Sequence, residues 1–141
     1  MNRILACLDG SPRAAGVLER SRAIAASTGA KLILFRALGL PEDSMVPASE
    51  MAMSPIDLLD LRRRHAERDL ESMRKSLPED MVEAVVVRTG SPPAAICSAA
   101  RELGVDLITL GSHGYEVVDD IVGTTAARVI NKAERCVLVV R

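Results

Sequence analysis

Short apolar runs alternate with segments of helical periodicity along the chain. Residues 3–8 and 31–38 are two such runs, and the second contains Leu-Ile-Leu-Phe at its centre. Between them, apolar and small residues recur at the three- and four-residue spacing of an amphipathic helix. Ser11 and Pro12 are typical of an N-cap and a first helical position, and Gly29 is typical of a helix C-terminus. The pattern therefore predicts a strand, a helix and a second strand.

The same alternation continues to the end of the chain. A second helix is predicted from Pro55 to about residue 77, with an arginine- and glutamate-rich face that we expect to be solvated rather than bound to an acidic partner. Its predicted apolar stripe consists of Ile56, Leu59, Ala66, Leu70, Met73 and Leu77. Further strands are predicted at residues 82–87, 105–110 and 136–140, and further helices at residues 91–104 and 124–133. Residues 39–55 have little periodicity and predict a long loop.

Strands that are almost continuously apolar and alternate with helices are typical of a parallel sheet covered on both faces. We therefore predict an α/β fold with an open five-stranded parallel sheet and helices on both faces. If the chain winds outward from strand one to strands two and three, it must return to place strand four beside strand one. The predicted strand order is 3-2-1-4-5, and residues 1–141 are predicted to form a single domain.

The point where the winding reverses is the predicted binding site, because open α/β sheets bind ligands beyond the carboxyl ends of their strands at that point. Asp9 follows strand one and Gly111 follows strand four, so we expect both to face one crevice. Gly114 and Gly123 come next, just before a predicted helix. Glycines let main-chain N–H groups approach an anion, and a helix N-terminus adds unpaired donors. The segment predicts a phosphate site, with an ordinary βα loop as the alternative.

Composition and charge narrow the class of partner. The net charge of −1 gives no reason to expect nucleic acid or an anionic membrane as a partner. The aromatic residues are Phe35 and Tyr115 alone, which argues against single-strand binding by base stacking. No apolar run approaches the length of a membrane span, and the N-terminal pattern differs from that of a signal peptide. We expect a cytoplasmic protein that binds neither nucleic acid nor a membrane.

The residue types that most often carry chemistry are sparse. Cys7, Cys97 and Cys136 are far apart and odd in number, so we expect buried apolar filler rather than a metal site or a disulfide. His113 has no evident carboxylate partner, and we expect it to face solvent and to contribute its backbone. The spacing of a P-loop lysine is absent from the sequence, so phosphoryl transfer of that type is not indicated. No catalytic residue is predicted.

Five blocks of sequence resemble, in order, those of the universal stress protein family, and together they extend over essentially the whole chain. The blocks are residues 4–11 (ILACLDGS), 87–92 (VRTGSP), 105–114 (VDLITLGSHG), 123–130 (GTTAARVI) and 136–140 (CVLVV). The resemblance implies the same 3-2-1-4-5 sheet, of the adenine nucleotide alpha hydrolase type. It also leaves two alternatives for the function, because some members of the family bind ATP and others lack the ATP site.

The ATP-binding members have Gly-x-x-Gly, nine residues, and then Gly-Ser/Thr. Here Gly114 and Gly123 are separated by eight residues, one fewer than in that pattern, and Asp119 and Asp120 lie between them. The resemblance implies a site for ATP, with AMP or ADP as alternative ligands, and for magnesium.

The resemblance also implies a role for each matching position. Asp9 would meet the ribose hydroxyls or a magnesium-bound water, unless it only caps the helix that follows. The backbone of Ala37 would bind the adenine edge, and Leu110 would line the base pocket. The phosphate-binding residues would be Gly111, His113, Gly114, Gly123, Thr124 and Thr125. Thr124 has the alternative role of an N-cap, which shares its geometry with an anion site.

The last strand is the predicted contact between subunits. Val137, Leu138, Val139 and Val140 are apolar and lie at a predicted sheet edge, where exposed strands tend to pair. The resemblance implies a homodimer formed through this strand. Three functions stay open: a nucleotide-binding stress-response or signalling module, which we favour, a nucleotide-free dimeric scaffold, and a slow ATP hydrolase.

Overall fold

The computed structural model describes residues 1–40, 53–113 and 122–141. Within these ranges strands and helices alternate strictly. The strands are β1 (Arg3–Cys7), β2 (Lys31–Leu38), β3 (Val82–Thr89), β4 (Leu107–Gly111) and β5 (Cys136–Val140). The helices are α1 (Ala14–Thr28), α2 (Pro55–Lys75), α3 (Pro92–Glu102) and α4 (Thr124–Lys132). Most of the predicted long loop, residues 41–52, lies outside the described residues.

The five strands form one parallel sheet in the order β3-β2-β1-β4-β5, so the predicted fold class is confirmed. β1 is central and pairs with β2 and β4, which places Cys7 opposite Phe35 and Ala6 opposite Thr109. Ile4, Leu5 and Ala6 have no exposed surface. A strand covered on both faces has no polar side, which explains its continuous apolar sequence.

Helices cover both faces of the sheet, as predicted. Successive strand side chains point to opposite faces, so Leu32 and Leu34 contact the α1 and α2 side. Ile33 and Phe35 contact the α3 and α4 side. The sheet thus separates two apolar clusters, and each cluster is closed by one pair of helices.

The start of α1 differs from the prediction. The helix begins at Ala14, and the residue before it, Arg13, makes no side-chain cap. Ser11 and Pro12 instead belong to a turn, in which the Ser11 hydroxyl accepts from the Arg13 N–H at 3.3 Å. The predicted C-terminus is confirmed, because Gly29 has a left-handed φ of 75° and donates to the Ala25 carbonyl.

The buried stripe of α2 agrees with the predicted one at Ala66, Leu70, Met73 and Leu77 and differs from it at the start of the helix. Ile56 is 80% exposed and Leu58 is buried. Residues four apart lie on one helix face, whereas residues two apart do not. Leu58, Ala66 and Leu70 therefore face the sheet together while Ile56 faces away from it. Arg62, predicted to be solvated, lies on the same stripe and is half-buried.

The described helices include none that is both long enough and apolar enough to cross a membrane. The cytoplasmic location stays a prediction from the sequence.

Candidate functional site

A cavity of about 570 Å³ lies beyond the carboxyl ends of β1, β2 and β4. α3 and α4 contribute Pro92, Ile96 and Ala126 to its wall. The volume is in the range of pockets that hold small molecules and cofactors. Since β1 and β4 are adjacent, the cavity lies where the winding of the sheet reverses.

Eight of the nine predicted site residues line this cavity. They are Asp9, Ala37, Leu110, Gly111, His113, Gly123, Thr124 and Thr125. The ninth, Gly114, lies outside the described residues, as do Tyr115, Asp119 and Asp120. The structure therefore brings the predicted residues to one place, and their roles toward a ligand stay predictions.

Two of the motif glycines have packing reasons that the sequence analysis did not anticipate. A Cβ at Gly123 would lie 2.6 Å from the Ser112 carbonyl oxygen, a distance that side chains do not tolerate. The Gly123 N–H also donates to that oxygen, at 2.6 Å. A Cβ at Gly111 would lie 3.2 Å from the His113 carbonyl oxygen. Both glycines thus allow the segment after β4 to fold tightly against its neighbours.

The N-terminus of α4 opens onto the cavity. Gly123 is the N-cap and no side chain caps the helix, so the predicted alternative in which Thr124 is the N-cap is wrong. Thr124 and Thr125 are the first two helical residues, whose N–H groups have no acceptor within the helix. These two N–H groups and the adjacent hydroxyls are suited to an anion, which the helix dipole also favours.

His113 is buried, which corrects the expectation that it faces solvent. Its exposed fraction is 9%. On one side of the ring, Nδ1 lies 3.0 Å from the Ser112 hydroxyl and 3.3 Å from an Arg13 guanidinium nitrogen. On the other side, Nε2 is buried and has no hydrogen-bond partner among the described residues. The ring also approaches α4, because its Cδ2 lies 3.6 Å from the Cβ position of Gly123.

The short contact between Ser112 and His113 superficially resembles a nucleophile and its general base. Ser112 is 1% exposed, however, and its hydroxyl also accepts from Arg13 at 3.3 Å. A nucleophile must reach a substrate and needs a base free to take its proton. Nδ1 of His113 is shared with Arg13 and Ser112 is covered. The pair is therefore built to orient the imidazole ring rather than to attack a substrate.

Asp9 supplies the carboxylate of the cavity. Its Oδ1 accepts from the Ser11 N–H at 2.9 Å, within the turn that precedes α1. This bond lies outside the helix, so Asp9 is not the helix cap that the sequence left open. Asp9 itself is exposed, and the described residues offer no partner to its Oδ2. That oxygen can accept from a hydroxyl or from a metal-bound water.

Arg36 is the residue of this region that the sequence analysis missed. It lines the cavity at the end of β2, and its exposed fraction is 9%. Its Nε donates to the Leu8 carbonyl at 2.6 Å, and its Nη2 pairs with Asp69 of α2 at 2.5 Å. The signal in the sequence is a charge in the middle of a strand whose other residues after Lys31 are apolar. A buried charge requires partners, which α2 and the end of β1 supply.

The cysteines behave differently from one another. Cys7 lies in the cavity wall, and burial raises the pKa of its thiol far above the usual range, so it stays neutral and unreactive. Cys97 is half-buried, and Cys136 is exposed on the edge strand β5, which corrects the expectation of buried filler for that residue. All three are free thiols.

Comparison with known proteins agrees with this architecture. A family model described as the universal stress protein family matches residues 1–141. Universal stress protein A homolog 1 of Coxiella burnetii (strain RSA 493 / Nine Mile phase I) is 28% identical over 144 residues, which cover 97% of this chain and 94% of that protein.

Solved structures share the fold. The protein MJ0577 has a TM-score of 0.82 at 26% identity, with 99% of this chain and 94% of that chain covered. A universal stress protein solved in complex with cAMP has a TM-score of 0.63 at 22% identity, with 99% of this chain and 96% of that chain covered. The resemblance carried by the five sequence blocks is confirmed, because the family model extends over every residue. This chain belongs to the universal stress protein family.

Proposed function

We propose that this protein binds an adenine nucleotide in the cavity and acts as a nucleotide-dependent stress-response or signalling module. One observation carries the proposal: the buried Nε2 of His113, which has no partner among the described residues, in the wall of a cavity that α4 enters by its N-terminus. Leaving a buried polar atom unpaired is unfavourable by about 1–3 kcal/mol. A phosphate oxygen would satisfy it and would also accept from the first N–H groups of α4.

In this proposal the phosphates lie at the α4 end of the cavity. Thr124 and Thr125 donate through their N–H and hydroxyl groups, and His113 donates through Nε2. Gly123 contributes less than the family resemblance implies, because its N–H already donates to Ser112. Gly114 keeps the role of admitting the phosphates close to the main chain, whereas a Cβ at Gly111 would point toward Val17 and Arg13 of the α1 side. ATP is the proposed ligand, with ADP and AMP bound more weakly because they carry fewer phosphate oxygens.

The ribose and adenine lie at the other end. Asp9 accepts from the ribose hydroxyls or from a magnesium-bound water, since one carboxylate together with ligand phosphates is a common way to hold Mg²⁺. The Phe35 carbonyl accepts from the N–H of Leu8, the residue just after β1. Alternate residues of a strand point their N–H and C=O groups to the same side, so those of Ala37 also point toward β1, but beyond its paired part. These groups are suited to the adenine edge, and Leu110 lies against the base.

A calorimetric titration series tests the proposal. Each phosphate forms charge-assisted hydrogen bonds, each about 1.5–3 kcal/mol. We expect the affinity to fall at least about tenfold from ATP to ADP and again to AMP, with adenosine weakest. GTP is the control for the base. Equal affinity for ATP and adenosine would contradict the assignment of the phosphates to α4.

A nucleotide-free dimeric scaffold is the second candidate, and two observations favour it. The Gly123 N–H is already bonded to Ser112, and the glycine spacing is one residue shorter than in ATP-binding relatives. Mass spectrometry of ligand released from the purified protein by denaturation separates the two candidates. A released adenine nucleotide supports the module. No released nucleotide, together with no thermal shift on addition of ATP and magnesium, supports the scaffold.

We also propose that the protein forms a homodimer through β5. The two edge strands of the sheet differ: β3 has Arg63 donating to its Val87 carbonyl and an ion pair between Arg88 and Glu102. β5 contains no charged residue, and its apolar side chains from Val137 onward are half-exposed. Charges protect an edge from pairing, and their absence favours it.

Val139→Lys tests the dimer, because it places a charge in the proposed contact. We expect the variant to elute as a monomer in size-exclusion chromatography at concentrations where the wild type elutes as a dimer. The matched control is Val86→Lys on the opposite edge strand, judged by the same elution volume. An unchanged dimer for Val139→Lys would exclude β5 as the contact.

A further inference from the structure

Arg13, the residue just before α1, contacts the buried side of His113. Its Nη1 lies 3.3 Å from His113 Nδ1 and 3.3 Å from the Ser112 hydroxyl. The same hydroxyl lies 3.0 Å from Nδ1. These contacts join the loop after β1 to the loop after β4, behind the cavity wall.

The chemistry of the three groups assigns their protons. A guanidinium has donors only, so Nδ1 must accept from Arg13. A neutral imidazole carries one proton, which must then lie on Nε2. We infer that Arg13 is a positioning residue that holds His113 in the Nε2–H tautomer, so that the ring presents a donor to an anionic ligand in the cavity. This inference rests on the proposed function and names how the ligand's phosphate is recognised.

The other tautomer would recognise a phosphate poorly. Without Arg13 the Ser112 hydroxyl can accept a hydrogen bond from an Nδ1–H, because a hydroxyl is both donor and acceptor. Nε2 would then present a lone pair toward the phosphate oxygens. Arg13 therefore excludes the tautomer that disfavours the ligand, although it does not itself line the cavity.

Nitrogen NMR of the histidine rings tests the tautomer without any nucleotide. The chain has two histidines, and the exposed His65 serves as an internal reference. At about pH 8 we expect the neutral imidazole of His113 to carry its single proton on Nε2. In Arg13→Met we expect a population protonated at Nδ1, and in Arg13→Lys, which keeps a donor-only cation, the wild-type signature.

Either of two results overturns the inference. One is a wild-type His113 that is protonated at Nδ1. The other is a tautomer ratio in Arg13→Met that equals that of the wild type. His65 should be unchanged in every variant, which controls for a general change in the protein.

A double-mutant cycle separates action through His113 from a simple charge effect of Arg13. With His113 present, we expect Arg13→Met to lower the affinity for ATP about tenfold, which is the scale of one hydrogen bond to a charged group. In a His113→Phe background, which keeps a ring without nitrogens, we expect the same change to have almost no further effect. His113→Ala is measured in parallel, so that the cycle does not depend on one variant folding.

The cycle overturns the inference if Arg13→Met lowers the affinity for ATP by the same factor in the wild type and in His113→Phe. Failure of the proposed function gives a different result. If the wild type binds no adenine nucleotide, the proposed function is wrong, while the NMR signature still decides whether Arg13 sets the tautomer.

Discussion

The two ends of the cavity offer opposite chemistry. At the α4 end, His113, Thr124 and Thr125 present donors, and the described residues there include no carboxylate. At the β1 and β2 end, Asp9 presents an acceptor, and the buried cation Arg36 is already paired with Asp69. One end is therefore complementary to an anion and the other to hydroxyl groups.

This difference in chemistry determines the orientation of a bound ligand. A ligand with phosphates at one end and a sugar diol at the other fits in one orientation only, because reversing it would place phosphates beside the Asp9 carboxylate. Inorganic tripolyphosphate has only the anionic part of ATP. The binding of tripolyphosphate should therefore depend on the α4 end alone. Comparing it with the binding of ATP separates the contributions of the two ends of the cavity.

Of the variants considered, Gly123→Ala should have the largest effect on binding. It should lower the affinity for both ATP and tripolyphosphate. Its Cβ would lie 2.6 Å from the Ser112 carbonyl oxygen, so the start of α4 must move away from the loop after β4. Overpacking of this kind costs about 1–3 kcal/mol. We expect a lower melting temperature, and affinities for ATP and tripolyphosphate at least about tenfold weaker by calorimetry.

Gly16→Ala is the matched control for Gly123→Ala. Gly16 lies exposed within α1, and a Cβ there meets nothing within 4 Å. We expect a gain in stability of about 0.5–1 kcal/mol and unchanged affinities. Wild-type binding by Gly123→Ala would contradict the placement of the phosphates.

Asp9→Asn should have an intermediate effect on ATP affinity, and it should distinguish the two ends of the cavity. The amide oxygen of asparagine can still accept from the Ser11 N–H, so the turn is kept while the charge is lost. We expect ATP to bind about tenfold more weakly, because a charged acceptor for the ribose or for a magnesium-bound water is removed. Tripolyphosphate affinity, measured without magnesium, should not fall. A parallel loss for both ligands would show that the ends are not independent.

Asp69→Asn should have the smallest effect on binding and act mainly on stability. It removes the charged partner of the buried Arg36 guanidinium. Because Asp69 is itself half-exposed, we expect a loss of about 1 kcal/mol in urea denaturation and less than about a threefold change in ATP affinity.

Asp60→Asn on the same helix is the control for Asp69→Asn. Its partner Arg64 is exposed, as is Asp60, so the loss should be at most about 0.5 kcal/mol. Equal losses in the two variants would mean that Arg36 does not depend on Asp69.

Much of the fold could be predicted because its strands are buried on both faces. β2 is apolar throughout apart from Lys31 and Arg36, and its predicted bounds are those of the structure. The order of the strands followed from right-handed crossovers and one reversal of winding. The reversal in turn placed Asp9 and Gly111 beside the same cavity.

Other features depend on contacts that are distant in sequence. His113 is buried, and one of its contacts is with Arg13, a hundred residues away in sequence. Ile56 has an apolar side chain but is exposed, because Leu58, two residues further along, is the residue that packs on the sheet at this end of α2. The sequence pattern predicts a phosphate contact at Gly123, whereas the carbonyl of Ser112 alone already requires a glycine there.

The most direct measurement follows the amide resonances of Thr124 and Thr125 while ATP or adenosine is added. The account predicts that ATP shifts both resonances and that adenosine leaves them unchanged while shifting that of Ala37. If saturating ATP shifts neither Thr124 nor Thr125, the phosphates do not lie at the start of α4, and the central claim is wrong.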